Sequence, residues 1–200
     1  MRVLQLQVNG DTLETAAPVH WTLLEVLRYR LGLVGSKQGC DKGDCGACTV
    51  LLDGKPVLSC LTLAANAVDH EITTIEGLAP KPETTSGPTL DPIQRAFDDC
   101  GALQCGFCQP GMMLSARALL NTNAHPTRKE IHQALSGNLC RCTGYTQIVQ
   151  AVETAVARVS GKTEPDCAWV AELAKDRAQV DSTRNGASPG STTPGPGAPA

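Results

Sequence analysis

Eight of the chain's ten cysteines fall into two sets of four: Cys40, Cys45, Cys48 and Cys60, then Cys105, Cys108, Cys140 and Cys142. Four thiolates are the ligand complement of one metal centre, so the chain carries the material for two. The first set reads C-x4-C-x2-C with a distant fourth cysteine, the plant-type ferredoxin spacing for a 2Fe-2S cluster. The second, C-x2-C with a remote C-x-C, is a different arrangement. Two one-electron centres and no catalytic acid-base or nucleophile motif point to electron transfer between partners, with no catalytic residue expected in this chain.

Other uses of cysteine compete with this reading. A disulfide framework belongs to short secreted chains. Here the N-terminal MRVLQLQVNG alternates apolar and polar residues and lacks the apolar core of a secretory signal. No run of 18 apolar residues suggests a membrane span, and a reducing cytoplasm is the expected setting. Four thiolates also suit tetrahedral zinc, and for the second set zinc remains a rival. Around the first set, GSKQGCDKGDCGAC spreads Gly35, Gly39, Gly43 and Gly46 among three ligands. A cluster with bridging sulfides is anionic, and glycines let backbone N–H groups approach it closely. Such hydrogen bonds help set the potential, about −400 mV for plant-type clusters.

The segments around the ligands predict an α+β chain. Residues 1–78 read as a β-grasp ferredoxin-like domain: a strand Val3–Val8, an Asn9-Gly10 hairpin turn and a return strand ending near Ala17. A helix follows, with a Thr22/Glu25 capping box and a stripe of Leu23, Leu24, Leu27 and Leu31. TVLLDGKPVLSC gives a second hairpin that delivers Cys60, and Ile72–Gly77 a final strand. Residues 79–90, rich in Pro, Thr and Ser, form a linker. Residues 91–159 predict a four-helix bundle whose turns carry the second cysteine set. Asp91-Pro92 starts its first helix, Pro110 the second, and a Thr127/Glu130 capping box the third, with Gly137 as stop; the last carries Ile148, Val149, Val152, Ala155, Val156 and Val159. Residues 160–200 read as a largely disordered low-complexity tail.

Several signals lead nowhere. Gly161-Lys162-Thr163 lacks the upstream glycine of a phosphate loop, since Val156 stands there. His20, His70, His125 and His132 are scattered, and Met112 and Met113 fit a helical core. Cys100 and Cys167 are surplus. Cys100-x4-Cys105-x2-Cys108 copies the plant-type spacing, but Cys100 is assigned to the preceding helix face. The net charge of −3, without basic runs, gives no reason to expect nucleic acid.

GCDKGDCGACTVLLDGKPVLSC, QCGFCQPGM and SGNLCRCTGY resemble the small iron-sulfur subunit of molybdenum hydroxylases, the xanthine dehydrogenase, aldehyde oxidoreductase and carbon monoxide dehydrogenase group. The resemblance runs from about residue 2 to 158, and the tail lies outside it. It implies two 2Fe-2S clusters in this chain, a large partner subunit holding a molybdopterin cofactor and a medium one holding FAD, in a heterotrimer or a dimer of heterotrimers. It further implies that the second cluster lies nearest the molybdopterin, with Gln104 and Cys142 approaching the pterin, and that the first faces the flavin. Gln109, after Cys108, departs from the family's more usual threonine. Substrate oxidation releases two electrons together and each cluster takes one, so the chain would meter the pair singly. The alternatives are a free-standing two-cluster ferredoxin, expected to carry a more acidic docking face, and a zinc-stabilised interaction module.

Overall fold

The computed structural model describes residues 1–79 and 90–161. Its first half is a mixed sheet crossed by one helix. Strand β1 (Arg2–Val8) alternates as the pleat requires, with Leu4, Leu6 and Val8 buried and the residues between them exposed. Asn9 and Gly10 both have positive φ, 55° and 81°, the pair of left-handed residues that a two-residue hairpin turn uses. The turn sets β2 (Asp11–Ala17) antiparallel to β1, with Val8 opposite Asp11 and Arg2 opposite Ala17.

Helix α1 (Leu23–Tyr29) begins at Thr22, whose hydroxyl accepts from the Glu25 N–H while the Glu25 carboxylate accepts from the Thr22 N–H. Its Leu23, Val26 and Leu27 pack into one core with Leu4, Leu6, Val8, Val50 and Ile72. Each such side chain contributes roughly 1.5–3 kcal/mol by leaving water. Strands β3 (Thr49–Leu52) and β4 (Lys55–Leu58) turn at Asp53-Gly54, again with both φ positive. Strand β5 (Glu71–Thr73) runs parallel to β1 and antiparallel to β3, giving the order β2-β1-β5-β3-β4.

The expected last strand is shorter than its sequence suggests, because Ile75–Gly77 forms a 3₁₀ turn. Strand β1 ends at Val8, opposite Ile72, so nothing remains on that side for later residues to pair with. The Asn9 side chain takes over instead, accepting from the Thr74 N–H and donating to the Thr74 hydroxyl.

The second half is four helices: α2 (Pro92–Asp99), α3 (Gln109–Thr122), α4 (Arg128–Leu135) and α5 (Thr146–Ser160). Asp91 caps α2 by accepting from the Ile93 N–H, and its buried carboxylate also meets Arg117 of α3. Thr127 and Glu130 make the expected capping box on α4, which ends at Leu135, two residues before Gly137. Ile93, Phe97, Met112, Leu114, Ile131, Ile148 and Val152 are fully or almost fully buried, and Met112 is a core residue as its position predicts.

Helix α3 packs against β3 and β4 as well as against its own bundle, so the two halves share an interface. The linker reading at 79–90 falls mainly on residues 80–89, and the tail reading on 162–200, both outside the described residues. No helix among the described residues is long and apolar enough to cross a membrane.

Candidate metal centres

The first cysteine set lies where the chain passes from α1 to β3 and then leaves β4. Arg28, in the last turn of α1, donates to the carbonyls of Val34 and Ser36 at 2.9 and 2.7 Å, anchoring one end of the loop. The Lys37 N–H donates to the Ala47 carbonyl at 3.0 Å and closes the loop on itself. Within it Asp41, Gly43 and Gly46 have positive φ. A Cβ at Gly39 would stand 2.8 Å from Cys45 Sγ, and one at Gly43 2.7 Å from a Leu61 methyl, so glycine is needed for the close wrap.

The other half of this site is tied by Ser59. Its hydroxyl and its N–H both donate to the Cys48 carbonyl, at 2.6 and 3.3 Å, which brings Cys60 to Cys48. Cys48 and Cys60 are buried, whereas Cys40 and Cys45 are half-buried.

The second set is delivered by two turns of the bundle. Cys105 and Cys108 precede α3, with Cys108 at its N-cap, and Cys140 and Cys142 lie between α4 and α5. The Sγ atoms of Cys105 and Cys142 are 3.6 Å apart, and both residues are exposed, as is Gln104 beside them. Cys108 and Cys140 lie deeper and neighbour each other.

The thiols therefore meet in pairs: Cys40 with Cys45, Cys48 with Cys60, Cys105 with Cys142, and Cys108 with Cys140. Two sulfurs on one tetrahedral metal at about 2.3 Å would be about 3.8 Å apart, close to the Cys105–Cys142 spacing. Among the described residues no three Cys, His, Asp or Glu side chains converge on a single ion. Two pairs per site is the donor pattern of a centre with two irons, each bonded to two thiolates.

The titration behaviour of the thiols fits a metal-binding role. The Cys40 thiol is lowered to about 7, first by the Lys42 N–H and then by the Cys45 N–H, which lies 3.4 Å from its sulfur. Burial pushes Cys60 up to about 12, with neighbouring Cys48 adding to it. Cys108 is likewise pushed up to about 12, by burial and then by Cys140. Burial also acts to raise Cys140, but hydrogen bonds from the Thr143 hydroxyl and backbone outweigh it and its net shift is downward. Thiols that are buried together resist ionising together. A bound cation supplies the charge that lets all four become thiolates.

Between the two sites runs a set of contacts that cysteine spacing does not reveal. The Leu139 N–H donates to the Cys45 carbonyl at 2.9 Å. Asn138, buried, donates from Nδ2 to the Gly46 carbonyl at 2.9 Å and accepts at Oδ1 from Ser115 at 2.7 Å. A Cβ at Gly46 would stand 2.2 Å from the Gly137 carbonyl oxygen, and one at Gly111 2.4 Å from that of Gly46. The turn before Cys140 is thus pressed directly onto the loop carrying Cys45. Asn138 and Ser115 were invisible as site residues, although SGNLC stands out as a motif.

Cys100 is the C-cap of α2 and fully buried, with its sulfur 3.4 Å from the Thr154 hydroxyl of α5. That is the interior of the bundle, in keeping with a helix-face assignment. His70 lies on the surface, 2.6 Å from Asp53.

Comparison with known proteins agrees with this division. Residues 6–72 match the family of 2Fe-2S iron-sulfur cluster binding domains, and residues 74–153 a second 2Fe-2S binding domain family. The nicotinate dehydrogenase small FeS subunit of Eubacterium barkeri is 46% identical over 155 residues, covering 78% of this chain and 95% of that one. Quinoline 2-oxidoreductase from Pseudomonas putida 86 superposes with a TM-score of 0.73 at 41% identity, over 82% of this chain and 98% of that chain. Aldehyde oxidoreductase from Desulfovibrio gigas superposes with a TM-score of 0.74 at 43% identity, but the match is 18% of that longer polypeptide. The chain belongs to the family of small iron-sulfur subunits of molybdenum-hydroxylase-type dehydrogenases and oxidoreductases, with two 2Fe-2S-binding domains in one polypeptide.

Proposed function

We propose that Cys40, Cys45, Cys48 and Cys60 hold one 2Fe-2S cluster and Cys105, Cys108, Cys140 and Cys142 the other, and that the chain passes single electrons between two partner subunits. The observation that carries this reading is the direct link between the two sites. The Cys45 carbonyl accepts from the Leu139 N–H, and one peptide bond further on is Cys140. In this reading a ligand of each site flanks a single hydrogen bond, within one compact unit.

When bound, each cluster supplies a centre that changes charge by one electron. The rest is the work of this chain's residues. Cys48 and Cys60 keep one side of the first site out of water, while the Cys45 N–H points at the Cys40 sulfur and favours its thiolate. At the second site Cys105, Cys142 and Gln104 form an exposed rim. We assign that rim to a large partner holding a molybdopterin cofactor, with Gln104 and Cys142 toward the pterin, and the first site to a partner holding FAD. Residues 1–78 and 91–159 are the two working domains, in a cytoplasmic heterotrimer or dimer of heterotrimers. A relative whose matching region is 18% of a longer chain supports an association with a larger partner, since there the same module is one part of a longer polypeptide.

The test is purification of the native protein with its partners, followed by low-temperature EPR of the dithionite-reduced complex and counts of iron and sulfide. The reading requires a larger flavin- and molybdenum-containing complex with two distinct 2Fe-2S signals from this chain. Cys108→Ser should remove or transform one signal and spare the other, and Cys100→Ser should spare both. A lone, colourless, zinc-containing chain would sink the relay, and a lone chain carrying both clusters would leave a diffusible ferredoxin.

A further inference from the structure

Tyr145 is held in a conformation that residues with a side chain seldom adopt. Its φ is +68°, in the left-handed region, although glycine would fit there without strain. What tyrosine offers at this position is its hydroxyl. That group accepts from the Cys140 N–H at 2.8 Å and donates to the Asn138 carbonyl at 3.2 Å. Its backbone meanwhile starts α5: the Tyr145 carbonyl accepts from the Val149 N–H at 2.9 Å, and its own N–H donates to Thr143 Oγ1 at 3.2 Å. One half-buried side chain therefore fastens the turn 138–140 to the beginning of α5.

Asn138 fastens the same turn to different neighbours. It is 3% exposed, and its amide joins Ser115 of α3 to the Gly46 carbonyl, next to Cys45. Both residues thus hold the turn that leads into Cys140, and of the two only Asn138 reaches the loop of the first site.

We propose that Tyr145 and Asn138 are positioning residues for the iron-sulfur sites and that they act unequally, Tyr145 on the second site alone and Asn138 on both. The proposal rests on the ligand assignment above. It can fail separately, because the cysteine variants assign the signals in an otherwise wild-type chain.

The experiment is a redox titration of the assembled complex, following each EPR signal by itself. Tyr145→Phe is expected to shift the one-electron equilibrium of the second site by about tenfold, which is 59 mV, or to change its line shape, with the first site at its wild-type potential. Tyr145→Gly, which relieves the backbone but also lacks the hydroxyl, should shift it at least as far. Ser115→Ala, which frees the Asn138 amide without emptying the buried position, should shift both signals by a few-fold. Wild-type potentials and line shapes for both sites in Tyr145→Phe, or equal shifts in the two, would overturn the role given to Tyr145. A Ser115→Ala complex in which the first site is unmoved would overturn the one given to Asn138.

Discussion

The two candidate centres are built in opposite ways. At the first, three cysteines lie within Cys40–Cys48, and a loop that bonds to itself, Lys37 N–H to Ala47 carbonyl, sets most of the geometry. The sheet adds only Cys60, through Ser59. At the second, two turns 32 residues apart from Cys108 to Cys140 meet because α3, α4 and α5 pack together. A locally determined site tolerates damage to a distant core. A site assembled by packing shares the fate of its bundle.

Phe97→Ala should expose that difference most strongly. Phe97 is fully buried in α2, which packs on α5. Losing it should cost about 4 kcal/mol, or roughly 10 °C in Tm for a chain of this size. Thermal unfolding followed by visible absorbance and EPR should show the second signal failing first; simultaneous loss of both would mean that the interface makes the two sites one cooperative unit.

Gly46→Ala attacks that interface directly. The φ of +69° is strained for alanine, and the new Cβ would meet the backbone of Gly137, which no side-chain rotation can move away. A loss of about 3 kcal/mol is expected, with both sites disturbed. Gly54→Ala provides the contrast. It has the same sign of φ, +75°, but nothing within 4 Å of the added carbon, and should cost only about 1 kcal/mol. Comparable losses in the two variants would show that strain alone, and not the contact between halves, makes Gly46 necessary.

How much of this was legible in the sequence follows from the same contrast. Asn9-Gly10 and Asp53-Gly54 announce their turns because left-handed φ is a local demand. Thr22/Glu25 and Thr127/Glu130 announce helix starts because a capping box closes within four residues. Cysteine spacing announces metal for a similar reason. The end of β5 was not legible, since it depends on where β1 runs out at Val8, a residue 64 positions away from Ile72. Nor were Asn138 and Ser115, whose polar groups acquire meaning only when α3, the 138–140 turn and the Gly46 loop meet. Tyr145 sits in plain view after Cys-Thr-Gly, but no spacing rule says that its hydroxyl returns to Cys140.

The threonine-capped boxes sharpen the comparison at lower energy, since the sheet half has one at Thr22 and the bundle one at Thr127. Thr22→Ala and Thr127→Ala should each cost about 1 kcal/mol. Far-UV melting should locate the first loss near the sheet and the second in the bundle, so only Thr127→Ala should lower the temperature at which the second EPR signal disappears.

Acid offers the mildest probe, because each half also carries a carboxylate held below its ordinary range, the exposed Asp53 and the half-buried Glu130. Asp53 is lowered by His70 and then by the Glu71 N–H, and Glu130 by the Thr127 N–H and hydroxyl. A carboxyl that ionises more readily in the folded chain stabilises it above the ordinary value, 3.8 for Asp53 and 4.5 for Glu130, and loses that contribution as pH falls through the lowered folded value. The bundle should therefore begin to weaken at a higher pH than the sheet. The Tm advantage of the wild type over Glu130→Gln should be constant near neutrality and close below pH 4.5, while that over Asp53→Asn persists further down. An advantage over Glu130→Gln that survives undiminished well below that point would mean that the side chain acts through its shape, and that the bundle gains nothing from the charge.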